Sequence, residues 1–209
     1  MLILSHRGYW KTAAEKNSPL AFARSFHLTF GTETDLRDLA GRLVVSHDPP
    51  PADALPAEML FGIYQGVGAD LPLALNIKAD GLHKLLPPLI EQFAITNYFV
   101  FDMSIPDSLG WLKIGVPVFT RHSDVEPHPA LYSQAAGVWL DAFHSDWWDA
   151  DVVARHLDAG KQVCIVSPDL HKREPRKMWE LLAVADWSDD RRVMVCTDFP
   201  EEAQAILRG

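Results

Sequence analysis

Short apolar runs recur along this chain, each ending in polar residues or glycine, and between them lie longer amphipathic segments. The first run, Leu2-Ile3-Leu4, passes straight into Ser5, His6, Arg7 and Gly8, the pattern of a strand that carries side chains to a site at its end. Residues 33–37 make a second strand, and 43–46 continue the chain after a polar turn. Six further runs, at 73–77, 98–101, 116–119, 138–140, 163–166 and 193–196, read as strands. Helices are predicted over 81–93, 105–112, 150–159, 176–185 and 201–207, with a shorter one at 129–136. An earlier helix begins at Ser18-Pro19, Ser as N-cap and Pro in the first turn. Its apolar stripe, Phe22, Phe26 and Phe30 beside Leu20 and Ala23, is core-facing. Pro49-Pro50-Pro51 interrupts regular structure, and the 24 residues between Asp48 and Leu73 leave room for one short helix around 56–62.

Eight β units alternating with helices are the pattern of a parallel sheet closed into a small (β/α)₈ TIM barrel, with little inserted after the second strand unit. An open doubly wound sheet is the alternative that alternation leaves standing. No repeat or linker divides residues 1–209, so a single domain is expected. In a barrel, function lies at the C-terminal ends of the strands. His6, Glu33, Asp35, Asn76, Lys78, Asp102, Arg121, Asp141, Ser167 and Asp198 all fall at or near such ends.

Glu33 and Asp35, two apart on a strand, point to one face, with Arg37 following. Adjacent carboxylates repel unless a cation lies between them, and a hard divalent ion with oxygen ligands is the usual solution. His6 and His47 each close an apolar run, and histidine suits proton transfer near neutrality.

The ordered set His6-Arg7-Gly8, Glu15-Lys16-Asn17-Ser18, Gly31, Glu33-x-Asp35 and His47-Asp48 resembles the glycerophosphodiester phosphodiesterase family. Leu75-Asn76-Ile77-Lys78 looks like that family's Glu-x-Lys strand, and Thr197-Asp198-Phe199-Pro200 like its Thr-Asp-x-Pro ending. The resemblance implies a metal-dependent phosphoric diester hydrolase with His6 and His47 as the acid–base pair. It further implies one divalent ion, Mg²⁺ or Ca²⁺, on Glu33, Asp35 and residue 76, and phosphate contacts from Arg7 and Lys78. Two departures touch the site: Lys16 is additional in its loop, and Asn76 stands where the family carries a third carboxylate.

Arg121 is a further candidate for the phosphate. Trp139, with Trp147 and Trp148, is a candidate apolar platform for a substrate ring or chain. Asp198 is expected to cap the last helix. His122, His128, His144 and His171 are expected in loops, solvated or locally bonded, and His27, His83 and His156 on helix surfaces.

A net charge of −9 argues against nucleic acid or anionic membrane as a partner and leaves a small phosphodiester as the expected one. Hydrophobic residues make up 48% and mean hydropathy is −0.03, values of a soluble globular chain, and no run approaches bilayer length. With no signal-peptide pattern before His6, a cytoplasmic location is the default expectation. Cys164 and Cys196 read as buried strand residues in a reducing compartment. The alternative to an enzyme is a catalytically weak phosphoester-binding protein on the same fold. A barrel hydrolase acting on C–N bonds calls for a His-x-His pair, which the chain lacks.

Overall fold

The computed structural model describes residues 1–67 and 70–208. Strand β1 (Leu2–His6) pairs in parallel with β2 (Gly31–Leu39), whose far end turns back through the antiparallel strands β3 (Arg42–Val45) and β4 (Leu55–Pro56). The parallel sheet continues with β5 (Leu73–Ile77) and β6 (Tyr98–Phe101) on one side of β2. On the other side of β1 it runs through β10 (Val193–Thr197), β9 (Gln162–Val166) and β8 (Gly137–Leu140) to β7 (Phe119–His122). A single parallel bridge, from Val100 of β6 to Val118 just before β7, closes the ring. Eight parallel strands thus form the barrel, and β3 and β4 are an excursion at its rim.

Alternation sorts the strand residues. Leu4, Ala74, Phe99, Phe101, Phe119, Trp139, Cys164, Val166, Met194 and Cys196 fill the interior. Rings stack there, Phe99 on Phe119 at 3.7 Å and Phe101 on Trp139 at 3.9 Å between centroids. A Cβ at residue 137 would lie 2.4 Å from the Phe119 ring, so only glycine lets that stack form. The interior is therefore a packed core, not a pore.

Helices α1 (Pro19–His27), α2 (Ala57–Val67), α3 (Leu86–Gln92), α4 (Ile105–Lys113), α5 (Ala150–Asp158), α6 (Arg176–Ala183) and α7 (Pro200–Leu207) surround the strands. The Ser18 hydroxyl accepts from the Ala21 N–H at 3.3 Å, and Phe22 and Phe26 are buried, as the stripe predicts; Phe30 is buried past the helix end, and Leu20, expected on the core face, is exposed. None of the helices among the described residues is long and apolar enough to cross a membrane.

Three expectations shift. The 81–93 helix breaks into a 3₁₀ turn, Leu82–Lys84, and α3, because Pro87 and Pro88 start a new helix more readily than they continue one. The expected strand at 116–119 begins only at Phe119: Pro117 has no N–H for a ladder. Residues 129–136 form turns, so the β7–β8 connection, with Pro127 and Pro129, carries no helix.

Candidate active site

The barrel register brings the acidic pair and its neighbours together. His6 lies beside Glu33 across β1 and β2, and Asp35 beside Asn76 across β2 and β5. Glu33, Asp35 and Asn76 are all buried. Asp35 is heavily partnered: Arg7 Nε at 3.0 Å and the Asn17 amide nitrogen at 2.9 Å on Oδ2, and the Lys78 ammonium at 3.5 Å from Oδ1. Asn17 is itself oriented by the Thr34 hydroxyl, which donates to its carbonyl at 2.8 Å. Glu33 has no such support. Burial, and secondarily the charge of Asp35, pushes its carboxyl up to about 7.

His6 donates through Nδ1 to Asp198 Oδ1 at 2.7 Å, which leaves Nε2 facing Glu33 Oε2 at 3.9 Å. Asp198 is held in turn: its backbone N–H and the Thr197 hydroxyl both donate to Asp169 Oδ2, at 2.7 and 3.0 Å. Its other oxygen lies 3.9 Å from the Lys16 ammonium, which sits over the Trp10 ring. Lys16, the additional loop residue, thus brings a cation to the rim.

Charged groups continue around the mouth. Lys78 reaches Asp102 Oδ2 at 3.8 Å, Asp102 pairs with the Arg121 guanidinium, and Arg121 lies over the Phe143 ring. Phe143 packs beside His171, whose Nε2 meets the buried Asp141 at 2.7 Å. His171 and Asp169 share one 3₁₀ turn, Pro168–His171, so the circuit returns to Asp198.

Backbone conformation at the site is unusual. Arg7 (φ 59°), Asn17 (φ 56°) and Asp102 (φ 72°) are left-handed. Asn and Asp tolerate that region; Arg does so rarely, and such strain concentrates at functional sites. Gly8 follows at φ 78°, and a Cβ there would lie 2.7 Å from that of Ala21.

Of the residues expected at the site, His6, Arg7, Glu33, Asp35, Asn76, Lys78 and Arg121 are joined by these contacts. His47 stands apart. The Ser46 N–H donates to the Asp35 carbonyl and Arg37 to the His47 carbonyl, which places His47 at the same end of the barrel. Its imidazole, though, is 43% exposed and bonds Asp48. Trp139 is not a platform: it is 5% exposed and packed on Phe101 inside the barrel. Trp147, by contrast half-buried, donates its indole N–H to the Asp141 carbonyl.

Asp198 does not cap α7, whose N-cap is Phe199; it holds His6 instead. Nor is His156 a surface residue. It is buried, its Nε2 hydrogen-bonded with His122 Nδ1 at 3.0 Å and its Nδ1 with the Tyr132 hydroxyl at 2.8 Å, and burial lowers its pKa to about 4. His122 belongs to β7, not a loop. Cys164 and Cys196 are buried free thiols, pushed well up by desolvation.

The donor set fits a hard cation. Glu33 Oε2, Asp35 Oδ1 and Asn76 Oδ1 are buried, and none receives a hydrogen bond. Oxygen atoms orphaned in this way are uncommon unless an ion or water satisfies them. Among the described residues no three His, Cys, Asp or Glu side chains converge as a metal-binding group, so an ion here would rest on two carboxylates and one amide.

No sequence-family model matches the chain, and no curated protein does. Solved structures do. A candidate glycerophosphodiester phosphodiesterase from Galdieria sulphuraria superposes with a TM-score of 0.75 at 18% identity, over 100% of this chain and 98% of that one. The glycerophosphodiester phosphodiesterase of Agrobacterium tumefaciens gives 0.72 at 15% identity, over 100% of both chains. A glycerophosphoryl diester phosphodiesterase from Parabacteroides distasonis gives 0.58 at 12%, over 99% of this chain and 86% of the other. At these identities the likeness establishes the fold, a (β/α)₈ barrel of the kind these proteins share; function rests on the site.

Proposed function

We propose that the protein is a metal-dependent phosphodiester hydrolase whose substrate carries a glycerol- or sugar-type alcohol. The observation that carries this reading is the His6–Asp198 pair set directly against Glu33, with Asp35 and Asn76 beside it. The three named structures, all described as diester hydrolases of this kind, support the same class.

A phosphodiester resists attack because its charge repels nucleophiles and an alkoxide leaves poorly. Glu33, Asp35 and Asn76 would hold a divalent ion, Mg²⁺ or Ca²⁺, which when bound neutralises charge on the phosphoryl oxygens. The chain's own groups do the rest. Asp198 keeps the proton on His6 Nδ1, so Nε2 is the atom that takes a proton from the nucleophile or returns one to the leaving oxygen. The nucleophile is water or a neighbouring hydroxyl of the substrate, the latter giving a cyclic phosphate. Lys78 and Arg7, each already beside Asp35, and Arg121 across the mouth offer cationic hydrogen-bond donors to the phosphate. His47 is the second proton-transfer group; substrate must draw its exposed ring inward from Asp48.

One observation favours a second reading, phosphoester binding with little turnover: the His47 ring bonds an exposed aspartate rather than any group of the site. Hydrolysis of a panel of phosphodiesters, with chelator and metal add-back, separates the two. Metal-dependent turnover lost in both His6→Ala and His47→Ala supports the enzyme; binding of a diester without turnover supports the second reading.

A further inference from the structure

The barrel wall is weakest between β6 and β7, and a cleft lies over that seam. Every other neighbouring pair of barrel strands is joined by a ladder, whereas these two share one bridge. Pro117 withholds an N–H at the point where β7 would begin to pair, and the helix that would ordinarily cover β7 and β8 is replaced by turns over residues 123–135. Between those turns and α4 a cavity of about 300 Å³ remains. Its lining includes Asp102 and Arg121, the same ion pair that closes the charged circuit of the barrel mouth. A phosphate held at Arg121 therefore has a ready-made recess beside it.

Accepting this site as that of a phosphodiesterase, we infer that the recess is a binding subsite for one alcohol substituent of the diester, a polyhydroxylated group of about monosaccharide size. The lining decides the class. Ser104, Ser108 and Thr120 contribute hydroxyls, each already donating its proton, to Asp80, the Ser104 carbonyl and the Ala130 carbonyl respectively. With their protons committed, the capacity left to these hydroxyls is as acceptors, less at Ser104, which already accepts the Asp107 N–H, and Asp102 and Glu126 add carboxylates to the lining. Arg121 supplies the converse, a buried Nε that makes no hydrogen bond and whose ion-pair partner Glu126 Oε2 lies 3.5 Å away. A lining rich in acceptors with one cationic donor suits groups that both donate and accept, as ring hydroxyls do. An alkyl chain would leave these atoms unsatisfied. Val118, Leu112 and Leu131 give an apolar wall for the C–H face of a sugar ring. The volume is at the small end of ligand pockets and accommodates a single sugar ring.

The test is calorimetric titration of the whole protein with glucose 1-phosphate and with methyl phosphate. Two variants fill the cavity from opposite walls: Ser108→Phe on α4 and Ala130→Phe in the facing turns. The wild type should bind the sugar phosphate at least about tenfold more tightly than methyl phosphate, and either variant should reduce that preference to about twofold or less. No preference in the wild type, or a preference undiminished in both folded variants, overturns the subsite. Hydrolysis of methyl 4-nitrophenyl phosphate by the wild type reports separately on the phosphodiesterase reading. Selective binding without hydrolysis would keep the subsite and refute the enzyme, and hydrolysis without selectivity would do the reverse.

Discussion

The Nδ1 atom of His6 lies 2.7 Å from Oδ1 of Asp198, joining the ends of the first and last barrel strands across 192 residues of sequence. The hydrogen bond fixes the ring's tautomer and leaves Nε2 turned toward Glu33. Asp198 therefore acts through His6. Replacing it with Asn should lower kcat by roughly 10²–10⁴-fold with little change in KM, and should move the histidine limb of the pH–rate profile. A variant that folds normally but keeps the wild-type profile would contradict the role.

Asn76 presents a buried amide oxygen with no donor beside two carboxylates. Restoring a third carboxylate by Asn76→Glu should tighten Mg²⁺ or Ca²⁺ binding in calorimetric titration. Unchanged affinity would place residue 76 outside the ligand set.

The buried His156 gives stability a dependence on pH. Its folded pKa of about 4 lies below the ordinary 6.5, so between those values the unfolded chain binds the extra proton. Stability is then fully present above about pH 6.5 and is lost as pH falls toward 4. The lowered pKa of His122 acts in the same sense. From pH 7 to pH 5 the His156 contribution should fall by about 2 kcal/mol. Urea melts of His156→Gln should show a shallower loss over that interval than the wild type.

Gly8 occupies a left-handed turn against α1, with no room for a Cβ beside Ala21. Gly8→Ala should destabilise the protein by about 1–3 kcal/mol. Because the strain lies next to Arg7, the same variant should weaken phosphate binding; thermal melts with and without a phosphomonoester measure both.

Much of the site was legible because alternation along a strand is a local rule. Glu33 and Asp35 share a face by spacing alone, and Lys78, two residues after Asn76, follows just past the end of β5. Barrel closure then puts strand ends together. Two misreadings at the site, Asp198 and His156, involve partners distant in sequence. Asp198 before Pro200 has the local signature of a helix cap, and only the meeting of β10 with β1 shows that its carboxylate serves His6. His156 looks like a surface position on α5 until Tyr132 and His122 cover it. Trp139 sits near the strand ends, but strand parity turns it into the barrel against Phe101. The seam between β6 and β7 was missed, with 116–119 read as a strand and 129–136 as a helix despite Pro117, Pro127 and Pro129, and the cavity over it depends on the placement of α4, which no local pattern encodes.

The most direct test of the phosphodiesterase account is a ³¹P NMR time course of one diester, glycerophosphoglycerol, incubated with purified protein and Mg²⁺ or Ca²⁺. The account predicts that the diester resonance is replaced by that of a monoester or cyclic phosphate, and that His6→Ala or chelation stops the change. A diester resonance that persists with wild-type protein and either metal, for this substrate and for a sugar-linked diester alike, would contradict it.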